Sequence, residues 1–484
     1  NFLRTTPIKY VLCEKACIFL PARTLTGSIK VETMTSPPSL NRQILALAVP
    51  AFGALVAEPL FVLGDTAIVG HLGTEPLAGL TLGSTVIQTV VGLMVFLSYS
   101  TTPAVARALG QKNLSRAYES ARNGMWVALL LGIVLALVLW VTATPILMAM
   151  GGDGATLHHA RHYLLPSLAG LPGMLLVLAA VGVLRGLQDT KTPLYVASTG
   201  AVLNLGLSFL LVYRAGLGVA GSAIATAIIQ WTMAVVLGGM VLRGVRKHSV
   251  PLTPTLRGLG SVFAVGFWLM LRTLSLRVAL VATVFVIGQQ GAQNLAAYQL
   301  TMTFFNFLAF ALDSLAIAAQ ALLGKEMGAR DMHTEQGQNA VARLKNRLVR
   351  WSLGFGIITG LLCPLVGFFG GRLFTPDQSV QHLFALAMLV VAVGQPLAAY
   401  VFILDGVLIG AQDVRYLALA SLLTLGVYLP LLTGIFFVSG GTDVPDDVAS
   451  WAFVAVWVAY AGGYMGVRGV TLGFRVRNVG AWAR

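Results

Sequence analysis

Long apolar runs separated by short charged loops leave this chain few ways to fold. A stretch of roughly 20 predominantly apolar residues is long enough, as a helix, to cross the hydrocarbon core of a bilayer. Twelve can be placed, at about 43–69, 77–101, 124–148, 164–184, 194–213, 217–242, 273–290, 295–322, 351–371, 383–409, 417–438 and 451–467. Hydrophobic residues make up 57% of the chain and charged ones only 10%, against roughly 25% charged in an ordinary soluble domain. If soluble, such a chain would be a large core with almost no surface. The expected fold is an all-α polytopic membrane protein with twelve transmembrane helices.

The net charge of +14 raises the question of nucleic acid, and the placement of the charges answers it. One alternating set of loops (107–122, 185–191, 243–257, 324–350, 410–416 and the end after Val467) holds 21 Lys and Arg, whereas the other set holds only Arg161, Arg214 and Arg372. Cytoplasmic loops are enriched in Lys and Arg. The charge therefore reads as a topology signal, with both termini cytoplasmic in a multi-pass protein of the cell membrane and no nucleic-acid partner.

The three cysteines give no disulfide framework, and Cys13 and Cys17 in "CEKAC" lack the two-residue gap of common zinc and redox motifs. No metal site is expected. Residues 1–39 form an N-terminal tail whose short apolar part carries charges, unlike a secretory signal. Met34 opens "MTSPPSLNRQ" like a natural start, so residues 1–33 are expected to be upstream translation or a dispensable tail.

Marks in the first half recur in the second. "VGHLGTEPLAGL" (69–80) returns as "IGQQGAQNLAAY" (287–298), and "GVLRGLQD" (182–189) as "GVLIGAQD" (406–413), with "ARALGQK" (106–112) and "QALLGKE" (320–326) a weaker pair. The offsets of 218, 224 and 214 keep the same order. Each half then holds six helices, and an even number gives both halves the same orientation. Two parallel halves around a central cavity are a transporter plan. The organisation expected is an N-terminal lobe at 40–242, a cytoplasmic linker at 243–272, a C-terminal lobe at 273–467 and a basic cytoplasmic tail at 468–484.

Of eighteen acids, four fall within spans: Glu58 and Asp65 in the first, Asp313 in the eighth and Asp405 in the tenth. A charge at the bilayer centre is costly, and such residues persist where they face water, bind cations or carry protons. No Lys or Arg is placed in mid-span to neutralise them, since Arg272 and Arg277 fall at the entry to the seventh span. Glu58 and Asp65 are seven residues apart, nearly on one helix face and about 10 Å apart along the axis. Pro59 beside Glu58 bends a helix because it lacks the amide proton and clashes with the preceding turn, which makes it a candidate hinge. The alternative for Glu58 is that it ends the helix or satisfies a neighbouring hydroxyl. Polar residues in helices 5, 7 and 8, among them Asn204, Gln289, Asn294 and Gln320, either line a cavity or join helices to one another. His158 and His162 have helical metal-ligand spacing but no acidic or Cys partner nearby, and read as a solvated loop. There is no Gly-x-Ser-x-Gly, His-Glu-x-x-His or phosphate-binding loop, so the chain does not read as an enzyme or an ATP-driven pump. An ion gradient is the expected energy source.

"DTAIVGHLGTEPLAGL", "LDSLAIAAQALLG" and "LDGVLIGAQD" together resemble the multidrug and toxic compound extrusion (MATE) family, and within it the DinF branch. The resemblance covers about residues 40–475. It implies two six-helix lobes in a V, and export of small organic, often cationic or amphipathic, compounds in exchange for H+ or Na+. It also implies no cofactor and a monomer working among membrane lipids. The cation-coupling aspartate of that family maps onto Asp65, with Glu58 in support, and the helix 5 asparagine onto Asn204. Asp313 and Asp405 could give the second lobe its own site. This chain has Ser208 where relatives often carry an aspartate, and Gln320 where some carry an acid. A lipid or lipid-linked precursor flippase of the same superfamily is the alternative, and it would need basic residues in the cavity, where none is placed. At the offset of 218, Asp65 corresponds to Thr283, so the scaffold repeats but the acid does not.

Overall fold

A computed structural model describes residues 39–439 and 446–482, with only the backbone described at Glu58, Ser439 and 446–449. Twelve helices long and apolar enough to cross a membrane run through it. They are α1 (Leu40–Gly70), α2 (Thr74–Gly110), α3 (Leu114–Ala149), α4 (Gly154–Gly186), α5 (Lys191–Arg214), α6 (Gly218–Lys247), α7 (Leu256–Gly288), α8 (Ala292–Ala329), α9 (Glu335–Phe374), α10 (Gln378–Gly410), α11 (Val414–Val438) and α12 (Ser450–Arg477). At 1.5 Å per residue each is longer than the ~30 Å hydrocarbon core, so the helix ends project beyond it. Each apolar run read from the sequence falls on one of these helices, and only the runs at 217–242 and 273–290 extend past it, by one and two residues.

Two boundaries differ from the sequence reading. The segment expected to be a linker, 243–272, is mostly helical: α6 continues to Lys247 and α7 begins at Leu256. "GLGSVFAVGFWLML" belongs to α7, whose start is capped by the Thr255 side chain accepting from the Gly258 amide. The stretch expected to be a tail, from Arg468, continues α12 to Arg477. Both differences have one cause. An arginine marks the edge of an apolar run in a hydropathy reading, but Arg272 and Arg468 each meet an acid inside the protein.

The repeat is visible as the same helix crossing built twice. A Cβ added at Gly182 of α4 would stand 2.7 Å from the Ser98 carbonyl of α2, and one at Gly406 of α10 would stand 2.5 Å from the Ala316 carbonyl of α8. Ser98 and Ala316 are 218 residues apart, and Gly182 and Gly406 are 224 apart, the two offsets already read from the sequence.

The halves meet through α1 and the Phe96–Gly110 part of α2, both against α8. A Cβ at Gly110 would lie 2.0 Å from the Lys325 carbonyl oxygen, and a Cβ at Gly328 would lie 2.0 Å from the Arg107 carbonyl oxygen. Gly110 pairs with Gly328, and Arg107 with Lys325, at the 218 offset. The crossing is thus self-complementary, like a two-fold interface within one chain, and only glycine lets the backbones approach so closely. Nearby, Asn41 Oδ1 accepts from Arg347 Nε at 3.1 Å and Trp351 Nε1 at 2.9 Å, and Gln188 Nε2 donates to the Ala321 carbonyl at 3.0 Å. All of these contacts lie at the end that carries the basic loops.

Candidate functional site

Asp65 sits five residues before the end of α1, far from the basic end, and is 4% exposed. Its Oδ2 accepts from Ser222 Oγ of α6 at 2.6 Å, and its Oδ1 accepts from Ser208 Oγ of α5 at 3.2 Å. Ser208 Oγ also lies 3.1 Å from Asn204 Oδ1, and Asn204 Nδ2 donates to Thr226 Oγ1 at 3.1 Å. Ser208, Ser222 and Asn204 are completely buried. Helix α5 comes this close because Gly64, the residue before Asp65, has no side chain: a Cβ there would stand 2.2 Å from Leu205 Cδ2. Just past the cluster, Val69, Leu80, Tyr163, Val219 and Ala223 pack together and close it off with apolar contact.

Among the described residues no Lys or Arg pairs with Asp65. An ionised carboxylate taken out of water without a cation costs several kcal/mol, offset here by two hydroxyl bonds of about 1.5–3 kcal/mol each for a charged acceptor. The Ser208 hydroxyl has one proton and two acceptors within reach, Asp65 and Asn204. With Asp65 ionised the proton points to the carboxylate. With Asp65 protonated, the carboxyl donates to Ser208 and the serine turns to Asn204. The same oxygens are hard donors, the kind that ligate hard cations.

Asp65 and Asn204, both read from the sequence, are therefore joined, and Ser208 is the bridge. Ser222 and Thr226 of α6 were missed, since a serine or threonine in a small-residue helix carries no distinguishing signal. The Glu58 backbone lies in α1, and its side chain is outside the described residues. Pro59 lies in α1, which is continuous through it and also contains Pro50, nine residues earlier.

The second lobe has a different arrangement. At the offset positions Thr283 Oγ1 and Tyr428 Oη form a neutral hydrogen bond of 2.8 Å where the first lobe has Asp65 and Asn204. Asp405, expected to be unpaired, is bound on both sides: Arg272 Nη2 lies 2.6 Å from Oδ2 and Arg468 Nη2 lies 2.8 Å from Oδ1. Arg468 Nη1 also donates to Ser421 Oγ at 2.7 Å. That corrects the expectation of no mid-span cation, because Arg272 is well inside α7 and Arg468 inside α12. Asp313 accepts from Tyr99 Oη of α2 at 3.3 Å, a bond between the halves, with Arg185 and Arg272 also acting on it electrostatically. Gln320 is buried where α8 crosses Gly410 of α10. Gln289 is exposed at the end of α7, and Asn294 Nδ2 donates to Gln290 Oε1 at 3.3 Å at the start of α8. Both lie at the turn between α7 and α8, where the Asn294–Gln290 bond bridges the two helix ends.

Twelve membrane helices in two repeated halves, with a buried carboxylate that among the described residues has no cationic partner in the first half, define a membrane transporter. The chain belongs to the MatE family, the multidrug and toxic compound extrusion transporters, whose profile matches it twice, at residues 50–210 and 269–433. The two matches fall one in each repeated half. It is similar to Protein DETOXIFICATION 44, chloroplastic, of Arabidopsis thaliana, 30% identical over 397 residues covering 78% of this chain and 74% of the relative. It is also similar to DNA damage-inducible protein F of Escherichia coli strain K12, 29% identical over 317 residues covering 63% of this chain and 67% of the relative. In fold it resembles the Vibrio cholerae MATE transporter VcmN in its bent form, with a TM-score of 0.80 and 20% identity over 92% of this chain and 98% of that one. It is thus a transporter and not an enzyme, with a DinF homologue among its relatives.

Proposed function

We propose that the protein is a secondary antiporter that exports small organic compounds in exchange for H+ or Na+, with the coupling ion bound at Asp65. The observation that carries this reading is a carboxylate 4% exposed, ringed by Ser208, Ser222 and Asn204 and paired with no cation among the described residues. A charge so placed is costly unless an ion occupies it for part of a cycle. Filling or emptying the site re-aims the Ser208 proton and so changes how α1 is held against α5 and α6. That gives ion binding a differential effect on two states, which coupling requires. Pro59 and Pro50 supply places where α1 bends.

The absence of a cationic partner for Asp65 among the described residues supports a coupling site in the first lobe, since Thr283 and Tyr428 occupy the same place in the second. Asp405 is engaged by two arginines and acts in this account as a structural ion pair. The buried arginines of the second lobe favour, at first sight, a lipid or lipid-linked precursor flippase. Asp405 takes up Arg272 and Arg468, however, so the cluster offers a phosphate much less than its arginine count. The loop charges support a cytoplasmic position for the basic end, in the cell membrane. A fluorescent fusion would show this location, or instead a chloroplast, the compartment in the name of the plant relative.

The test is transport in proteoliposomes of a fluorescent cationic substrate under an imposed pH gradient, then under an imposed Na+ gradient. One of the two gradients should drive accumulation. Equal uptake with neither gradient would remove the antiport reading.

A further inference from the structure

We propose that the groove between the start of α1 and the basic ends of α8 and α9 binds the phosphate of an anionic phospholipid headgroup. The groove has a volume of about 590 Å³ and is lined by Lys325, Arg330, Arg343, Arg347 and Arg350. Among the described residues its one acid is Glu326, which already accepts from Arg330 Nε at 3.0 Å. Arg343, Arg347 and Arg350 are exposed and spaced i, i+4, i+7, so they stand on one face of α9. Like charges stacked in that way repel, and a bound anion relieves the repulsion.

Loop charge that merely orients a membrane protein need not converge on a cavity. Here it converges on one that also has an apolar wall of Leu40, Leu322 and Leu344, beside the uncharged polar Gln43 and Asn346. A phosphate with an acyl-bearing glycerol beside it fits both surfaces, and guanidinium groups hold phosphate oxygens through paired hydrogen bonds.

Depth selects a lipid over a soluble anion. The apolar part of α9 begins at Trp351, whose indole is tied to Asn41 Oδ1 at 2.9 Å. Tryptophan is enriched at the level of the headgroups. Arg350 precedes it directly, and Arg347 and Arg343 lie one and two turns further out, at about 1.5 Å per residue. The cations therefore occupy the layer where lipid phosphates lie, where basic clusters attract anionic lipids. Because Leu40 comes from the first half of the chain and the arginines from the second, an occupant touches both halves where they meet.

The experiment uses the full chain in detergent, with dioleoylphosphatidylglycerol or dioleoylphosphatidylcholine added, and counts retained lipid by native mass spectrometry alongside the melting temperature. Phosphatidylglycerol should be retained and raise the melting temperature, as any ligand of the folded state does, and phosphatidylcholine should not. The triple variant Arg343→Gln/Arg347→Gln/Arg350→Gln should bind phosphatidylglycerol at least tenfold more weakly. The matched variant Arg343→Lys/Arg347→Lys/Arg350→Lys, which keeps the charge, controls for folding and should retain most of the binding. Removing three charges elsewhere on the basic end, Arg243→Gln/Arg246→Gln/Lys247→Gln, should leave it within twofold. An equal loss in both glutamine triples would overturn the site in favour of general surface attraction. Full displacement of the lipid by millimolar sodium phosphate would overturn the lipid assignment in favour of a soluble anion.

Discussion

Replacing Gly328 by alanine should drive the two halves apart at the basic end. The new Cβ would lie 2.0 Å from the Arg107 carbonyl oxygen and 3.0 Å from Arg107 Cα, where ordinary contact begins at 3.4 Å. The obstructing atoms are backbone, so no side-chain rotation relieves them, and α2 and α8 must separate by more than an ångström. Overpacking of this kind costs about 1–3 kcal/mol. The contact exists only while the halves are closed at this end, so the cost falls on the closed state alone. It then moves the closed-to-open ratio by roughly 5- to 150-fold. Spin labels at Lys112 and Arg330, both exposed and on opposite sides of the crossing, would report this by pulsed dipolar spectroscopy in a background without Cys13, Cys17 and Cys363. The Gly328→Ala chain should show a longer-distance population that is minor in the parent. Gly354→Ala, where a Cβ meets nothing within 4 Å, should match the parent. A Gly328→Ala distribution superimposable on the parent would refute the crossing as a closure point.

Three further outcomes follow from the contacts. Arg468→Met should cost about 3 kcal/mol, at the low end for breaking a buried pair because Arg272 still serves Asp405. Asp405→Leu/Arg468→Met should cost clearly less than the two single changes together, as read from melting in detergent. Ser222→Ala removes the 2.6 Å bond to Asp65, worth about 1.5–3 kcal/mol to the ionised state, and should lower ion-driven efflux roughly tenfold to a hundredfold at unchanged membrane level. Asn41→Ala frees Arg347 and Trp351 and should raise the long-distance population in the same spin-label experiment, by less than Gly328→Ala does.

Helix number and the repeat were legible because both are written in the period and length of apolar runs, which lipid enforces. The crossing glycines carry the repeat offsets, so "GVLRGLQD" and "GVLIGAQD" announced a shared geometry before their packing was seen. Asp65 stood out because an acid in such a run is costly. Its partners did not, because serine and threonine are common in membrane helices and nothing in "GSAIAT" marks Ser222 and Thr226 as neighbours of α1. The second-lobe ion pair was misread for the opposite reason. Arg272 and Arg468 look like helix ends to a hydropathy argument, and only their approach to Asp405 across three helices neutralises them. Asp405 thus lies in a buried pair with two arginines, while Asp65 has no such partner among the described residues.

The central claim is that Asp65 carries the coupling ion, and Asp65→Asn tests it most directly. The amide keeps the size of the carboxyl and can still accept from one of Ser208 or Ser222, but it can neither ionise nor hold a cation by charge. The measurement is substrate-evoked dissipation of a pH or Na+ gradient in everted membrane vesicles, at matched levels of inserted protein. Parent vesicles should respond and Asp65→Asn vesicles should not. A variant that inserts normally and dissipates the gradient at the parent rate would contradict the account.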